Sequence, residues 1–157
     1  MRIYLVRHGK ASKDPSIPTD AERPLTSSGC VEVERAAQFV AETQPELVQI
    51  RHSGLLRAQQ TAEIMGEVLR PRDGVIAVRG LHYADPVDTL ARELYLEPEP
   101  IMLVGHSPFM EKLSGALLTH TPGLMPLWFT TSTVACFDYA NGMWSLRWML
   151  NREFLKD

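Results

Sequence analysis

The feature that most constrains the fold is a run of five residues, IMLVG at Ile101–Gly105, that contains no polar side chain. Such a strand must be covered on both faces, as in the centre of a parallel sheet with helices on each side. Three other runs of strand-forming residues precede it, at positions 3–6, 47–53 and 75–78. Segments with helical periodicity separate these runs. The alternation predicts an α/β fold, a three-layer αβα sandwich with a mostly parallel central sheet.

The predicted helices have start signals and apolar faces. Thr26 is a suitable N-cap for the first helix, and Asp85 followed by Pro86 is a suitable start for the third. The first two helices place these apolar residues on one face: Val33, Ala36, Ala37 and Val40, and then Leu55, Ala58, Ala62, Met65 and Leu69. A fourth helix is expected over residues 107–118.

The last part of the sequence predicts a C-terminal β-hairpin. Asn141 and Gly142 form a typical two-residue turn between alternating apolar residues. The turn predicts the cross-strand pairs Tyr139 with Trp144, Phe137 with Leu146 and Ala135 with Trp148, which would give one aromatic face. Trp128 is expected to pack with Trp144 and Trp148 in the core or against the hairpin.

The composition bounds the class of protein. A chain of 157 residues with 45% hydrophobic composition can bury its own core, so one domain over residues 1–157 is expected. The net charge of −3 and the dispersed Lys and Arg residues argue against a nucleic-acid partner. Two cysteines are too few for a disulfide framework, and neither they nor the histidines have metal-ligand spacing. With no signal peptide or membrane-spanning run, the expected location is the cytoplasm.

Four basic or imidazole side chains are placed near the carboxyl ends of the predicted strands. Arg7 and His8 follow the first strand, where Gly9 permits a sharp turn. Arg57 lies in the first turn of the second helix, and His106 follows the fourth strand. Ligands of open α/β sheets bind beyond these strand ends, so the four side chains are expected to converge there.

This convergence predicts a phosphate site with a histidine nucleophile. Two arginines beside two histidines would repel one another unless an anion lies among them, and the arginine fork suits phosphate oxygens. The positive neighbours disfavour an imidazolium, so His8 is expected to be neutral and able to attack phosphorus. Transfer to His8 would give a phosphohistidine intermediate that water then hydrolyses.

The other groups at these strand ends complete the predicted pocket. Arg7, Arg57 and His106 would hold the phosphoryl oxygens during transfer. Gly9 is expected to line the phosphate site, and the backbone amide of Ser107, at the start of the fourth helix, is expected to contact the phosphate. Because fixed cations neutralise the phosphoryl group, the predicted chemistry needs no metal and no other cofactor.

Several motifs resemble those of a known family. The segments LVRHGKA, LLRAQQTA and VGHSP resemble, in this order, the Arg-His-Gly signature and the second arginine and second histidine regions of the histidine phosphatase superfamily. RPLTSSG, WFTTS and the short chain resemble more narrowly the SixA-type phosphohistidine phosphatases. The resemblance implies a phosphoglycerate mutase-like fold, His8 as nucleophile, and Arg7, Arg57 and His106 as the phosphate pocket. It also implies that Arg23 lies near the pocket mouth.

One departure from the family pattern bears on the substrate. Larger members place an acidic proton donor after the third strand, and the matching position here is Gly80. Asp85 or His82 could substitute, although Asp85 is better explained as a cap before Pro86. Expelling an alkoxide needs a proton donor, whereas a phosphoryl group on nitrogen leaves readily once that nitrogen is protonated. The substrate expected is therefore phosphohistidine on a histidine phosphotransfer domain or a phosphocarrier protein.

Two other functions remain open at this point. The chain could be a small-molecule phosphomonoesterase, for which Asp85 or His82 would donate the proton. It could also be a phosphoprotein-binding module that keeps the anion pocket without catalysis.

Ser53 and Thr61 are interpreted as ordinary polar positions, since nothing near them resembles a serine-nucleophile turn.

Overall fold

The structure is a computed structural model that describes residues 1–121 and 123–155. Its strands are β1 (Arg2–Arg7), β2 (Gln49–His52), β3 (Val75–Ala77), β4 (Ile101–Gly105), β5 (Val134–Ala140) and β6 (Met143–Leu150). Its helices are α1 (Ser27–Glu42), α2 (Leu56–Leu69), α3 (Asp88–Leu94) and α4 (Phe109–Thr119). Two short 3-10 helices lie at Asp20–Glu22 and Arg152–Leu155.

The six strands form one sheet in the order β3-β2-β4-β1-β5-β6. β1, β2, β3 and β4 are parallel, whereas β5 runs antiparallel to β1 and pairs with β6 in a hairpin. β4 lies between β2 and β1 and is buried along its whole length. The predicted central strand and the mostly parallel sheet with a C-terminal hairpin are therefore confirmed.

Helices cover both faces of the sheet, as the three-layer prediction requires. On one face, α1 and α2 pack against the sheet and form a core that includes Tyr4 and Val6 of β1. α3 and α4 enclose a second core on the other face, which includes Ile3 and Leu5 of the same strand. The N-cap of α1 is Thr26 as predicted, since its Oγ1 accepts a hydrogen bond from the Gly29 amide at 3.0 Å. The fold is that of an αβα sandwich.

The third helix begins later than predicted. α3 starts at Asp88, and its N-cap residue Val87 makes no capping hydrogen bond through its side chain. The Asp85 carboxylate instead accepts a hydrogen bond from the His82 amide at 2.9 Å. The prediction of Asp85 as helix N-cap is wrong because an Asp-Pro pair can also close a tight turn.

The hairpin has the predicted turn but a different register beyond it. Tyr139 pairs with Trp144 and Phe137 with Leu146, and then the register shifts between Cys136 and Phe137. Trp148 consequently pairs with Cys136, and the predicted pair of Ala135 with Trp148 is wrong. A one-residue shift turns side chains to the opposite face. Trp148 packs against Tyr4 and Phe39 on the α1 face, whereas Trp144 packs against Tyr95 and Tyr139 on the α3 face.

Trp128 does not pack in the core as predicted. Its side chain is 79% exposed, whereas the neighbouring Phe129 is fully buried. Adjacent side chains of an extended segment point to opposite sides, so only one of the two aromatic rings can enter the core.

No helix in the described part of the chain is both long enough and apolar enough to cross a lipid bilayer.

Candidate active site

The carboxyl ends of β1 and β4 and the first turn of α2 meet around one cleft. Arg7, His8 and Arg57 line this cleft, whose volume is about 540 Å³. The imidazole rings of His8 and His106 lie with centroids 5.1 Å apart, which places His106 next to the same cleft. His8, Arg57 and His106 are all more than nine-tenths buried. The structure therefore brings together the four side chains that the strand-end pattern predicts to converge.

His8 is held in one orientation by the backbone around it. Its Nδ1 lies 2.6 Å from the carbonyl oxygen of Gly9, and its amide donates to the carbonyl of Gly105 at 3.0 Å. A carbonyl oxygen can only accept, so Nδ1 carries the proton in this contact. In the neutral ring the lone pair is then on Nε2. His8 thus presents a basic nitrogen from a fixed ring.

Burial and positive charge keep His8 neutral. Burial is the larger effect, and together with the charges of Arg57, Arg7 and Arg23 it lowers the pKa of His8 to about 4, against the opposing effect of the Gly9 hydrogen bond. The lowered pKa agrees with the neutral imidazole expected from the sequence. The main cause of the lowered pKa is burial of His8 at the end of β1, and the charges of the arginines make a smaller contribution.

Gly9 packs tightly and its amide is engaged within the protein. A Cβ at Gly9 would lie 2.6 Å from Cγ2 of Val33, so glycine is required where the strand end packs on α1. The Gly9 amide donates to Oγ1 of Thr61 at 3.0 Å, and that hydroxyl donates to the carbonyl of Arg57 at 2.7 Å. Gly9 therefore has a packing role and its amide already has a partner within the protein, and a phosphate contact at Gly9 stays a prediction. Thr61, interpreted from sequence as an ordinary polar position, is buried and joins β1 to α2.

Arg57 is paired with Asp20, a residue that sequence reasoning missed. Nη1 of Arg57 donates to the carbonyl of Asp20 at 2.8 Å, and Nη2 donates to its carboxylate at 3.1 Å. The same carboxylate accepts a hydrogen bond from Arg23 at 3.1 Å. Arg23 lines the cleft, as the family resemblance implied. A carboxylate of the protein thus supplies part of the negative charge that these arginines attract.

Arg7 is oriented by the loop between α4 and β5. Its Nη1 donates to the carbonyl of Phe129 at 2.7 Å. The amide of Phe129 and the hydroxyl of Ser107 both donate to Oε1 of Glu111, at 3.3 and 2.6 Å. Glu111 is buried in the first turn of α4, so this carboxylate connects the helix and the loop that orients Arg7. Sequence reasoning missed Glu111, because a charged residue in a helix usually faces solvent. A phosphate contact by the Ser107 amide stays a prediction.

His106 is held by Ser53, which directly follows β2. Its Nε2 lies 2.6 Å from Oγ of Ser53, so the hydroxyl orients the ring. Burial, followed by the proximity of His8, Arg57 and His82, lowers the pKa of His106 to about 3. Both site histidines are therefore neutral near pH 7. The interpretation of Ser53 as an ordinary polar position missed this contact.

The site is suited to bind an oxyanion. Among the described residues, two buried nitrogens that belong to the side chains around His8 have no hydrogen-bond partner: Nε of Arg7 and Nδ1 of His106. Buried polar groups are nearly always hydrogen-bonded, and a guanidinium nitrogen can only donate. Phosphoryl oxygens are acceptors of the required type. Within residues 1–121 and 123–155, no three or more His, Cys, Asp or Glu side chains are grouped as metal ligands would be.

The two candidate proton donors have different surroundings. The Asp85 carboxylate is engaged with the amide of His82, as described above. The ring of His82 lies 6.3 Å from that of His106, centroid to centroid, and therefore borders the site. Nδ1 of His82 accepts a hydrogen bond from the Ala84 amide at 3.1 Å, so the neutral ring carries its proton on Nε2.

Comparison with known proteins agrees with this geometry. The model of the histidine phosphatase superfamily (branch 1) matches residues 3–82, a segment that contains Arg7, His8 and Arg57. The chain belongs to the histidine phosphatase superfamily. This histidine phosphatase is accordingly an enzyme of the hydrolase class with phosphatase chemistry.

Individual relatives support a narrower placement of this histidine phosphatase. Phosphohistidine phosphatase SixA of Escherichia coli (strain K12) is 27% identical over 161 residues, covering 99% of this chain and 97% of that protein. A solved structure of the protein histidine phosphatase SixA with tungstate has a TM-score of 0.87 and 28% identity, covering 99% of this chain and 100% of that one. A phosphoserine phosphatase from Entamoeba histolytica, with 16% identity and 99% coverage of both chains, has a TM-score of 0.71 and shares the fold alone. The resemblance to SixA proteins is thus confirmed.

Proposed function

We propose that this histidine phosphatase removes the phosphoryl group from phosphohistidine on a protein, with His8 as the nucleophile. The observation that carries the proposal is the Nδ1 contact of His8 with the Gly9 carbonyl, which leaves Nε2 unprotonated in a cleft lined by Arg7 and Arg57. Similarity over the whole chain to a protein named as a phosphohistidine phosphatase supports this substrate class. Histidine phosphotransfer domains and phosphocarrier proteins are the candidate substrates.

The proposed reaction has two displacements at phosphorus. The lone pair on Nε2 of His8 forms a new P–N bond while the P–N bond of the substrate breaks, and the leaving imidazole keeps the electron pair and takes up a proton. Water then attacks the phosphoryl group on His8: a P–O bond forms, and the P–N bond to His8 breaks and returns the lone pair to Nε2. The water gives up a proton, which replaces the one taken up by the leaving imidazole. The products are inorganic phosphate and the free enzyme.

The cations of the cleft stabilise the phosphoryl group during both steps. Arg7 and Arg57 provide fixed positive charge beside His8, and Arg7 has a buried Nε without a protein acceptor among the described residues. Such preorganised donors stabilise the charge on the equatorial oxygens of the transition state without reorganisation. His106, held by Ser53, would donate from Nδ1 when its Nε2 accepts the serine proton. Metal-independent catalysis is therefore expected, and added chelator should leave turnover unchanged.

His82 is a better placed proton donor than Asp85. Its ring borders His106, and its Nε2 carries the proton in the neutral form. Asp85 is engaged in closing the turn at His82. His82 would donate as the imidazolium, because a neutral imidazole is far too weak an acid. A phosphoryl group on nitrogen leaves readily once that nitrogen is protonated, whereas expelling an alkoxide needs a dedicated proton donor. With Gly80 at the position of the family acid, this set of groups favours phosphohistidine over a phosphate ester.

A direct test measures phosphate release from a histidine-phosphorylated phosphotransfer domain and from phenyl phosphate, with and without chelator. We expect release from the protein in both conditions and much slower hydrolysis of the ester. His8→Ala should reduce turnover at least about a thousandfold, whereas His120→Ala, an exposed histidine at the far end of α4, should retain it. Faster turnover of the ester would favour the phosphomonoesterase. Tight binding of the phosphoprotein without release would favour the binding module.

A further inference from the structure

We propose that Trp128 and the basic residues at the mouth of the catalytic cleft form one docking face for the protein substrate. The partner it fits is a folded phosphoprotein with acidic side chains around its phosphohistidine and an apolar side chain beside them. This inference rests on the proposed function, because it concerns how the same site selects a protein over a small molecule.

The surface around Trp128 is continuous with the catalytic cleft. A neighbouring concavity of about 340 Å³ is lined by Trp128, Thr130, Asn151, Arg152 and Glu153. Arg152 lines this concavity and the catalytic cleft alike, and Thr131 lines the cleft. Arg152 also donates to Oγ1 of Thr131 at 3.3 Å, which joins the two walls. A protein whose phosphohistidine reaches His8 therefore covers the concavity beside Trp128.

Trp128 has the properties of an interface anchor. It is 79% exposed, although tryptophan is on average a highly buried residue. The next residue, Phe129, is fixed through both its backbone groups, with its amide on Glu111 and its carbonyl on Arg7. A large aromatic side chain on a rigid backbone loses little entropy on binding, and tryptophan is enriched among the residues that dominate protein interfaces.

The charge of the cleft defines the partner. Every charged residue described as lining the cleft is cationic: Arg7, Lys10, Lys13, Arg23, Arg57 and Arg152. Against these six cations stand two carboxylates, Asp20 on Arg23 and Arg57 and Glu153 beside Trp128, so the face is positive although the whole chain has a net charge of −3. Lys10, Lys13 and Arg152 are exposed at the mouth, beyond the arginines that neutralise the phosphoryl group. Complementary charge favours a partner whose surface is acidic around the phosphohistidine.

The test compares two substrates that share the reacting P–N bond. One is a histidine-phosphorylated phosphotransfer domain with an acidic surface, and the other is phosphoimidazole, which has no protein surface. For Trp128→Ala we expect kcat/KM on the phosphorylated domain to fall about ten- to thirtyfold, while kcat/KM on phosphoimidazole stays within about twofold. Trp128→Phe should restore part of the loss. Leu96→Ala, which removes an 84% exposed apolar side chain before the amino end of β4, should change neither value.

A matched pair of lysines tests the charge of the docking face. Lys13→Gln should lower kcat/KM on the phosphorylated domain several-fold and should weaken its dependence on salt. Lys112→Gln, at an exposed position of α4, should do neither. Equal kcat/KM for wild type and Trp128→Ala on the domain would overturn the docking face and leave the proposed function standing. An equal fall on both substrates would also overturn it, since Trp128 would then act on the site itself. No release from either substrate by the wild type would overturn the proposed function.

Discussion

The imidazole rings of His8 and His106 lie 5.1 Å apart with their planes inclined at 54°. Burial is the main cause that lowers both pKa values, to about 4 for His8 and about 3 for His106, and the nearby His8 ring further disfavours a proton on His106. We expect both rings to stay neutral from pH 8 to about pH 5. Carbon-13 and nitrogen-15 NMR of the two imidazoles during a pH titration checks this. A midpoint near pH 6.5 for either ring, the ordinary value of histidine, would contradict the neutral pair.

The same shifts make stability depend on pH. The unfolded chain protonates these histidines near pH 6.5, whereas the native state does so only near pH 4 and 3. The free energy of unfolding should therefore decrease as the pH falls from 6.5 towards 4, with a slope of about 1.4 kcal/mol per pH unit from each histidine. Urea unfolding at several pH values measures the slope. The double variant His8→Gln, His106→Gln should have a flatter dependence, and a slope equal to that of the wild type would refute this linkage.

Asp20 should compete with phosphate for Arg57. Asp20→Asn removes the negative charge but keeps the backbone carbonyl that accepts from Nη1 of Arg57, so the arginine should stay in place. We expect inorganic phosphate and tungstate to inhibit the variant about three- to tenfold more tightly, because the carboxylate that competes with the dianion for Arg57 is lost. Asp14→Asn, an exposed aspartate of the same loop, is the control and should leave the inhibition constants unchanged. Weaker inhibition of Asp20→Asn would show that Asp20 assists binding.

Glu111 should act as a positioning residue for Arg7. Glu111→Gln keeps an acceptor oxygen for Ser107 and Phe129, whereas Glu111→Ala removes both hydrogen bonds. We expect the alanine variant to lose roughly one hundredfold in kcat/KM and the glutamine variant less than about tenfold. The inhibition constant of tungstate should rise in parallel in the alanine variant. If Glu111 served only the stability of the fold, the molecules that remain folded would bind tungstate as tightly as the wild type. Glu93→Ala, at an exposed position of α3, is the control. Unchanged tungstate affinity in Glu111→Ala would argue against positioning.

Local sequence patterns predicted the elements and the residues that converge at the site. Features that depend only on neighbours along the chain can be predicted from the sequence. Examples are the apolar run of β4, the Thr26 cap and the Asn141-Gly142 turn. The strand-end rule then placed Arg7, His8, Arg57 and His106 together, because the carboxyl ends of parallel strands meet at one edge.

The missed features depend on contacts between distant segments. Asp20 contacts Arg57 and Ser53 contacts His106 from elements far apart in sequence, and neither residue type has a periodic signal. The register shift at Cys136 has no turn residue to mark it. Trp128 is exposed because the neighbouring Phe129 is the ring that packs in the core, and this depends on tertiary contacts that the local sequence does not show.

The most direct measurement of the central proposal is rapid quenching of the enzyme with a histidine-phosphorylated phosphotransfer domain, followed by mapping of acid-labile phosphate on the enzyme. The geometry of the ring, with Nδ1 on the Gly9 carbonyl, predicts phosphate on Nε2 of His8 within the first turnover. Phosphate on another residue, or full turnover by His8→Ala with no phosphoenzyme, would contradict His8 as the nucleophile.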